Sequence, residues 1–199
     1  ENTNAASGLA SGDWIAFMDH DDLLAPDALY EAVALMRRGP KRGSAVETAG
    51  GLYGAPGTVR PSGEAGAPST VRPSGEAGAP GTEDEMIYTD EDKVDLDGKT
   101  HFQPHLKPDL NIDLLRSNNY ITHFLLVSRP LLARVGMLRA EYDGAQDYDF
   151  ILRCVEQASA VGHVPRILYH WRCHTDSTSE NPFSKQYAVD AGRRALKAH

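Results

Sequence analysis

Four clusters of side chains in this 199-residue chain have the types and spacing to do chemistry. The first is Asp19-His20-Asp21-Asp22. Carboxylates this close repel one another unless a cation or solvent compensates them. Oxygen-rich sites suit hard cations such as Mg²⁺ or Mn²⁺, usually held by one or two carboxylates together with substrate phosphates. The plain alternative is a solvated acidic turn in which Asp22 or a neighbour caps the next helix. The second cluster, Thr89-Asp90-Glu91-Asp92-Lys93, repeats the acidic theme. Beside the first it suggests one shared rim; alone it reads as the start of an exposed hairpin around Asp97-Gly98. The third, Gly144-Ala145-Gln146-Asp147-Tyr148-Asp149, stands at a helix start. Acids in a first turn are ordinary capping and dipole chemistry, yet a carboxylate facing a substrate hydroxyl there is a candidate general base. The fourth, Tyr169-His170-Trp171-Arg172-Cys173-His174 followed by Ser177, offers a metal ligand and a cation for phosphate. Its plain alternative is one buried structural histidine and one exposed one.

These clusters need elements to hold them. Trp14–Met18 is a continuous apolar run, as expected of a strand buried on both faces. It ends at the first acidic cluster, and ligands of open α/β sheets bind beyond the carboxyl ends of strands. Pro26 opens a helix to about Arg38, with Leu29, Ala32, Val33 and Met36 at helical spacing. Met86–Tyr88 reads as a second buried strand that ends in Thr89–Asp92. Asn4–Ser11 and Asp109–Arg116 read as short helices, Tyr120–Ser128 as a strand, and Arg129–Val135 as a helix closed by Gly136. Asp147–Gln157 is a strong helix, Val164–Trp171 a strand, and Pro182 to the end a helix. Strands alternating with helices make an α/β protein around a mainly parallel or mixed sheet.

Composition narrows the classes. The formal net charge of −8 disfavours a nucleic-acid binder and suits a site for a divalent cation. Two cysteines, Cys154 and Cys173, are too few for a disulfide scaffold or a four-cysteine zinc site, and read as reduced thiols without chemistry. No leader is evident, and no apolar run approaches the ~20 residues of a membrane span. One segment is abnormal: Gly39–Asp84 holds 11 of the 18 glycines and 6 of the 12 prolines. Within it APGTVRPSGEAG (Ala55–Gly66) is followed by APSTVRPSGEAG (Ala67–Gly78). With one sizeable apolar residue per unit the repeats cannot build a core, so the expectation for residues 39–84 is a disordered surface insertion.

Taken together and in order, the motifs resemble inverting glycosyltransferase family 2. The resemblance is carried by WIAFMDHDDLLAPDAL (Trp14–Leu29), IYTDEDK (Ile87–Lys93), KPDLNIDLLRSNN (Lys107–Asn119), YITH (Tyr120–His123), GAQDYDFILR (Gly144–Arg153) and HVPRILYHWRCH (His163–His174). It is similar to transferases of bacterial surface polysaccharides, and covers nearly the whole chain except the insertion. It implies a GT-A fold in one catalytic domain over 1–199 that lacks its first strands. It implies a nucleotide-diphosphate sugar donor, dTDP-rhamnose or a UDP-sugar, a saccharide acceptor, Mn²⁺ or Mg²⁺, and a cytoplasmic or membrane-peripheral location. Asp21 and Asp19 match the metal- and nucleotide-side acids, and Asp147 the catalytic base. Gln146 departs from the acidic residue usual before that base. His174, or else His170, matches the histidine that completes the metal and diphosphate site, with Arg172 near the phosphates. Asp90, Glu91, Asp92, Asn119 and His123 fall to the acceptor side. Two rivals stand beside this reading: a metal-dependent phosphohydrolase, disfavoured by sparse histidines, and a degenerate binding module.

Overall fold

The computed structural model describes residues 2–38, 84–173 and 186–199. His174 and all of the expected insertion but Asp84 lie outside the described residues. The elements are α1 (Asn2–Leu9), β1 (Trp14–Phe17), β2 (Leu23–Leu24), α2 (Ala28–Arg38), β3 (Met86–Val94), β4 (His101–His105), α3 (Ile112–Ser117), β5 (Leu125–Ser128), α4 (Arg129–Val135), α5 (Gln146–Gln157), β6 (Val161–Arg172) and α6 (Gln186–Ala198). Among the described residues six strands form one mixed sheet in the order β1-β5-β3-β6-β2, with β4 also on β3. The central pair, β3 and β6, is parallel from Met86↔Val161 to Val94↔Arg172; every other pairing is antiparallel. None of the described helices is long and apolar enough to cross a membrane.

One core packs Met86, Tyr88, Leu125 and Val127 of the sheet against Leu131 of α4 and Phe150, Ile151 and Val155 of α5. A second joins Ala28 and Ala32 of α2 to Ile87, Leu126, Val164 and Leu168. Helix boundaries follow side-chain chemistry. The Ser128 hydroxyl accepts from Leu131 N at the start of α4, and Gly136, at φ 76°, ends it. Asn111 caps α3 in the same way.

Four elements differ from the sequence reading. β1 is not buried on both faces: it pairs only with β5 among the described residues, leaving Ala16 and Met18 exposed. α2 is rotated from its expected face, with Ala28, Ala32, Leu35 and Met36 turned to the core while Leu29 and Val33 are exposed. On its solvent side, Arg166 of β6 reaches Asp27 at 2.8 Å and Glu31. β3 does not end at Tyr88 but continues through the acidic cluster to Val94, because β4 and β6 pair with it there. The expected strand Tyr120–Ser128 is regular only from Leu125. In its first half the carbonyls of Ile121 and His123 accept from the Lys107 ammonium rather than from a neighbouring strand.

Candidate active site

β1 delivers Asp19 past its carboxyl end, and the turn that follows is tied to β6. Asp22 is buried; its carboxylate accepts from Arg172 N at 2.8 Å and from the Tyr169 hydroxyl. It is thus an anchor of the turn and caps no helix. Burial raises its pKa, against the pull of those two donors. With Asp22 pinned, Asp19 and Asp21 are left solvent-accessible, their side chains 64% and 39% exposed. The Asp19 amide donates to the Tyr169 hydroxyl at 3.1 Å.

Asp147 enters from the first turn of α5. That helix is held by its other acid: Asp149 is buried in a clamp of Arg139 and Arg153, which draw its pKa down although burial opposes them. Arg153 also donates to the Met137 carbonyl at 3.0 Å. The two aspartates of GAQDYDFILR therefore divide their work, Asp149 fixing the helix and Asp147 standing at its mouth. Asn119 Nδ2 donates to Asp147 Oδ2 at 3.1 Å. The Asp147 carboxylate is exposed but recessed among protein atoms, and the partial desolvation raises its pKa; the Tyr148 amide and His123 pull it down, Asp19 pushes it up.

Asp19, His123 and Asp147 line one cavity of about 510 Å³ between α1, β1 and α5, together with Thr122, Gln146 and the apolar Phe17 and Phe150. His123 stacks on Tyr169 (centroids 4.9 Å apart, planes at 8°). Its Nε2 lies 3.7 Å from Asp19 Oδ2 and its Nδ1 3.5 Å from Glu91 Oε2, ion-pair distances rather than hydrogen-bond geometry. Burial disfavours its charged form, but Glu91, Asp19 and Asp22 outweigh burial and raise its pKa. Glu91 is the centre of this support. It faces Lys107 Nζ at 3.2 Å, Thr122 Oγ1 at 3.2 Å and His105 Nδ1 at 3.2 Å. Burial would lift its pKa, yet His123, Lys107 and His105 bring it down to about 2.

The acidic run of β3 is split by strand alternation rather than forming one rim. Asp90 accepts from Lys107 N at 2.9 Å and meets His163 Nε2 at 2.9 Å. Glu91, level with Tyr169 on β6, faces His123 and the cavity side. Asp92, level with His170, faces the other side, and His170 Nδ1 lies 2.6 Å from Asp92 Oδ1. His170 is thus not brought to Asp19 and Asp147. Arg172, two residues on, shares its face and donates to the Leu96 carbonyl at 3.3 Å. Sequence reasoning quoted Lys107 and Tyr169 within their motifs but gave neither a role. The signal for Lys107 was available: three consecutive acids on a central strand require a buried cation. Cys154 is buried, its thiol pushed up to about 12 by desolvation, an inert core residue.

A mixed α/β sheet whose strand ends bring an acidic turn opposite a helix-borne carboxylate defines a GT-A type protein. The solved structure of S. aureus TarS 1–349 superposes with a TM-score of 0.52 over 96% of this chain and 42% of its own, at 13% identity, a likeness that shows the fold alone. The model of glycosyl transferase family 2 matches residues 1–105. The chain belongs to that family. It is 35% identical to the protein y4gI of Sinorhizobium fredii over 199 residues, 99% of this chain and 17% of that protein. It is 44% identical to the O-antigen biosynthesis protein RfbC of Myxococcus xanthus over 114 residues, 57% of this chain and 9% of that one. The chain thus spans a small part of the length of these relatives.

Proposed function

We propose that this domain transfers a sugar from a nucleotide-diphosphate donor to a saccharide hydroxyl with inversion, in the building of a surface polysaccharide. The polysaccharide assignment rests on the likeness to the O-antigen biosynthesis protein. The observation that carries the reaction is the shared cavity of Asp19 and Asp147, parts of the chain 128 residues apart. Asp147 accepts the proton of the acceptor hydroxyl as its oxygen bonds to the anomeric carbon and the bond to the diphosphate oxygen breaks. Its raised pKa makes it a stronger base than an ordinary aspartate. Asn119 Nδ2 holds one carboxylate oxygen of Asp147 and so fixes the direction of the other.

Asp19 and Asp21 are exposed oxygen donors in one anchored turn, a set that fits Mn²⁺ or Mg²⁺. When bound there, such a cation supplies charge neutralisation for the departing nucleoside diphosphate. His123, favoured in its charged form beside Asp19, adds positive potential on the same wall. The donor is a UDP- or dTDP-sugar.

Asp147→Asn tests the assignment. Transfer is expected to fall about 10²–10⁴-fold, the usual contribution of a general base. Calorimetric affinity for UDP or dTDP with Mn²⁺ is expected to stay within about twofold, under 0.5 kcal/mol. Loss of both would reject the role as base. Asp19→Asn with Asp21→Asn is expected to abolish the Mn²⁺-dependent part of nucleotide binding; unchanged binding would reject the metal assignment.

A further inference from the structure

A second cluster of ligand-type side chains lies on the face of the sheet turned away from Glu91. Asp92 of β3, His101 of β4 and His170 of β6 bring one carboxylate and two imidazoles together, with one donor atom from each within 4.8 Å of the others. His101 Nδ1 stands 3.0 Å from Asp92 Oδ2 and His170 Nδ1 2.6 Å from Asp92 Oδ1. The two rings meet edge to face with centroids 4.6 Å apart. Asp92 is buried, His170 half-buried and His101 exposed, so the group opens to solvent on the β4 side.

We propose that Asp92, His101 and His170 form a site for a Zn²⁺-type transition-metal ion, separate from the acidic turn at Asp19. Two imidazoles and a carboxylate match Zn²⁺, Co²⁺ or Ni²⁺, whereas Mg²⁺ and Mn²⁺ favour all-oxygen sets. Ligand atoms at ~2.0–2.1 Å from a tetrahedral ion are about 3.3 Å apart. The present donor separations, 2.6 and 3.0 Å to the carboxylate and within 4.8 Å overall, bracket that value. Three protein donors leave a fourth position for water or an exogenous ligand. The ion joins the β3–β4 hairpin to β6. His101 carries the proposal in particular: it is exposed, yet its ring turns inward to the Asp92 carboxylate and the His170 ring.

The test is calorimetry of metal-free protein with Zn²⁺, repeated with His101→Ala and with His170→Ala. Co²⁺ absorption serves as an independent readout of coordination. One equivalent of Zn²⁺ is expected, with affinity lowered at least tenfold by either substitution. Far-UV circular dichroism of His101→Ala is expected to match the parent, because that side chain is exposed. Absence of Zn²⁺ binding, or binding that survives both substitutions, would overturn the site and leave Asp92 a carboxylate accepting two N–H bonds. Asp19→Asn is a separate control: it is expected to spare Zn²⁺ binding. Zn²⁺ lost in that variant would mean the ion sits at the acidic turn, which also overturns the proposal.

Discussion

At the scale of single residues, the weightiest side chain beside the cavity is one that never reaches it. Lys107 is fully enclosed. Burial lowers its pKa, and Glu91 and Asp90 hold it up. Its ammonium bonds Glu91 and the carbonyls of Ile121 and His123, so one charge settles a buried carboxylate and the irregular segment that carries His123. A buried pair gives little net stability compared with a well-packed apolar pair, but removing one partner strands the other. Lys107→Met is therefore expected to destabilise the fold by about 3–5 kcal/mol. It would also free two buried carbonyls. Urea unfolding measures this; a loss below about 1 kcal/mol would mean that Glu91 is solvated and that His123 needs no such support.

At the scale of elements, the helix that presents Asp147 depends on what covers its start. Gly144, at φ 94°, precedes α5, and a Cβ there would stand 2.6 Å from Tyr187 Cε2 and 3.0 Å from Ala188 Cα of α6. Gly144→Ala is expected to cost more than about 1 kcal/mol, from the left-handed backbone and from the displaced α6 together. Gly8→Ala in α1, with nothing within 4 Å, is expected to be neutral or to gain up to about 1 kcal/mol. Equal effects in urea unfolding would contradict this view of the α5–α6 junction. Elements of this kind were legible where a local cause suffices: the apolar runs of β1 and β3, the helix closed by Gly136, and the amphipathic α5 all stand within a few residues of their expected places. Of the site, Asp19, Asp21 and Asp147 were legible as candidate acids; of these, Asp19 and Asp147 line the cavity. What escaped depends on partners distant in sequence. β5 is shortened by a lysine 14 residues before Ile121. The face taken by Asp92 and His170 follows from their register across β3 and β6, and a single-residue slip would reverse it.

At the scale of the whole molecule, Glu91 joins the central strand β3 to the His105 end of β4, to Lys107 and to the His123 segment before β5, so its titration bears on all of these elements at once. The signs follow from the two shifts. Glu91 has an ordinary value of 4.5, brought down to about 2 in the fold. Its contribution is complete above 4.5 and is lost as pH falls toward 2. His123 is raised above its ordinary 6.5, so its contribution is complete below 6.5 and is lost as pH rises through the elevated value. The two coexist between 4.5 and 6.5. Asp22, Asp84 and Asp147, all raised chiefly by burial, slope the other way, favouring the fold at low pH. Only a difference measurement isolates the centre. The stability of the parent minus that of Glu91→Gln, from urea unfolding at about pH 3 to about 9, is expected to form a plateau over that window and to decline on both sides. Parallel curves would mean that Glu91 and His123 titrate alike in the folded and unfolded chain, and that the ion pairs joining these strands contribute no pH dependence to the fold.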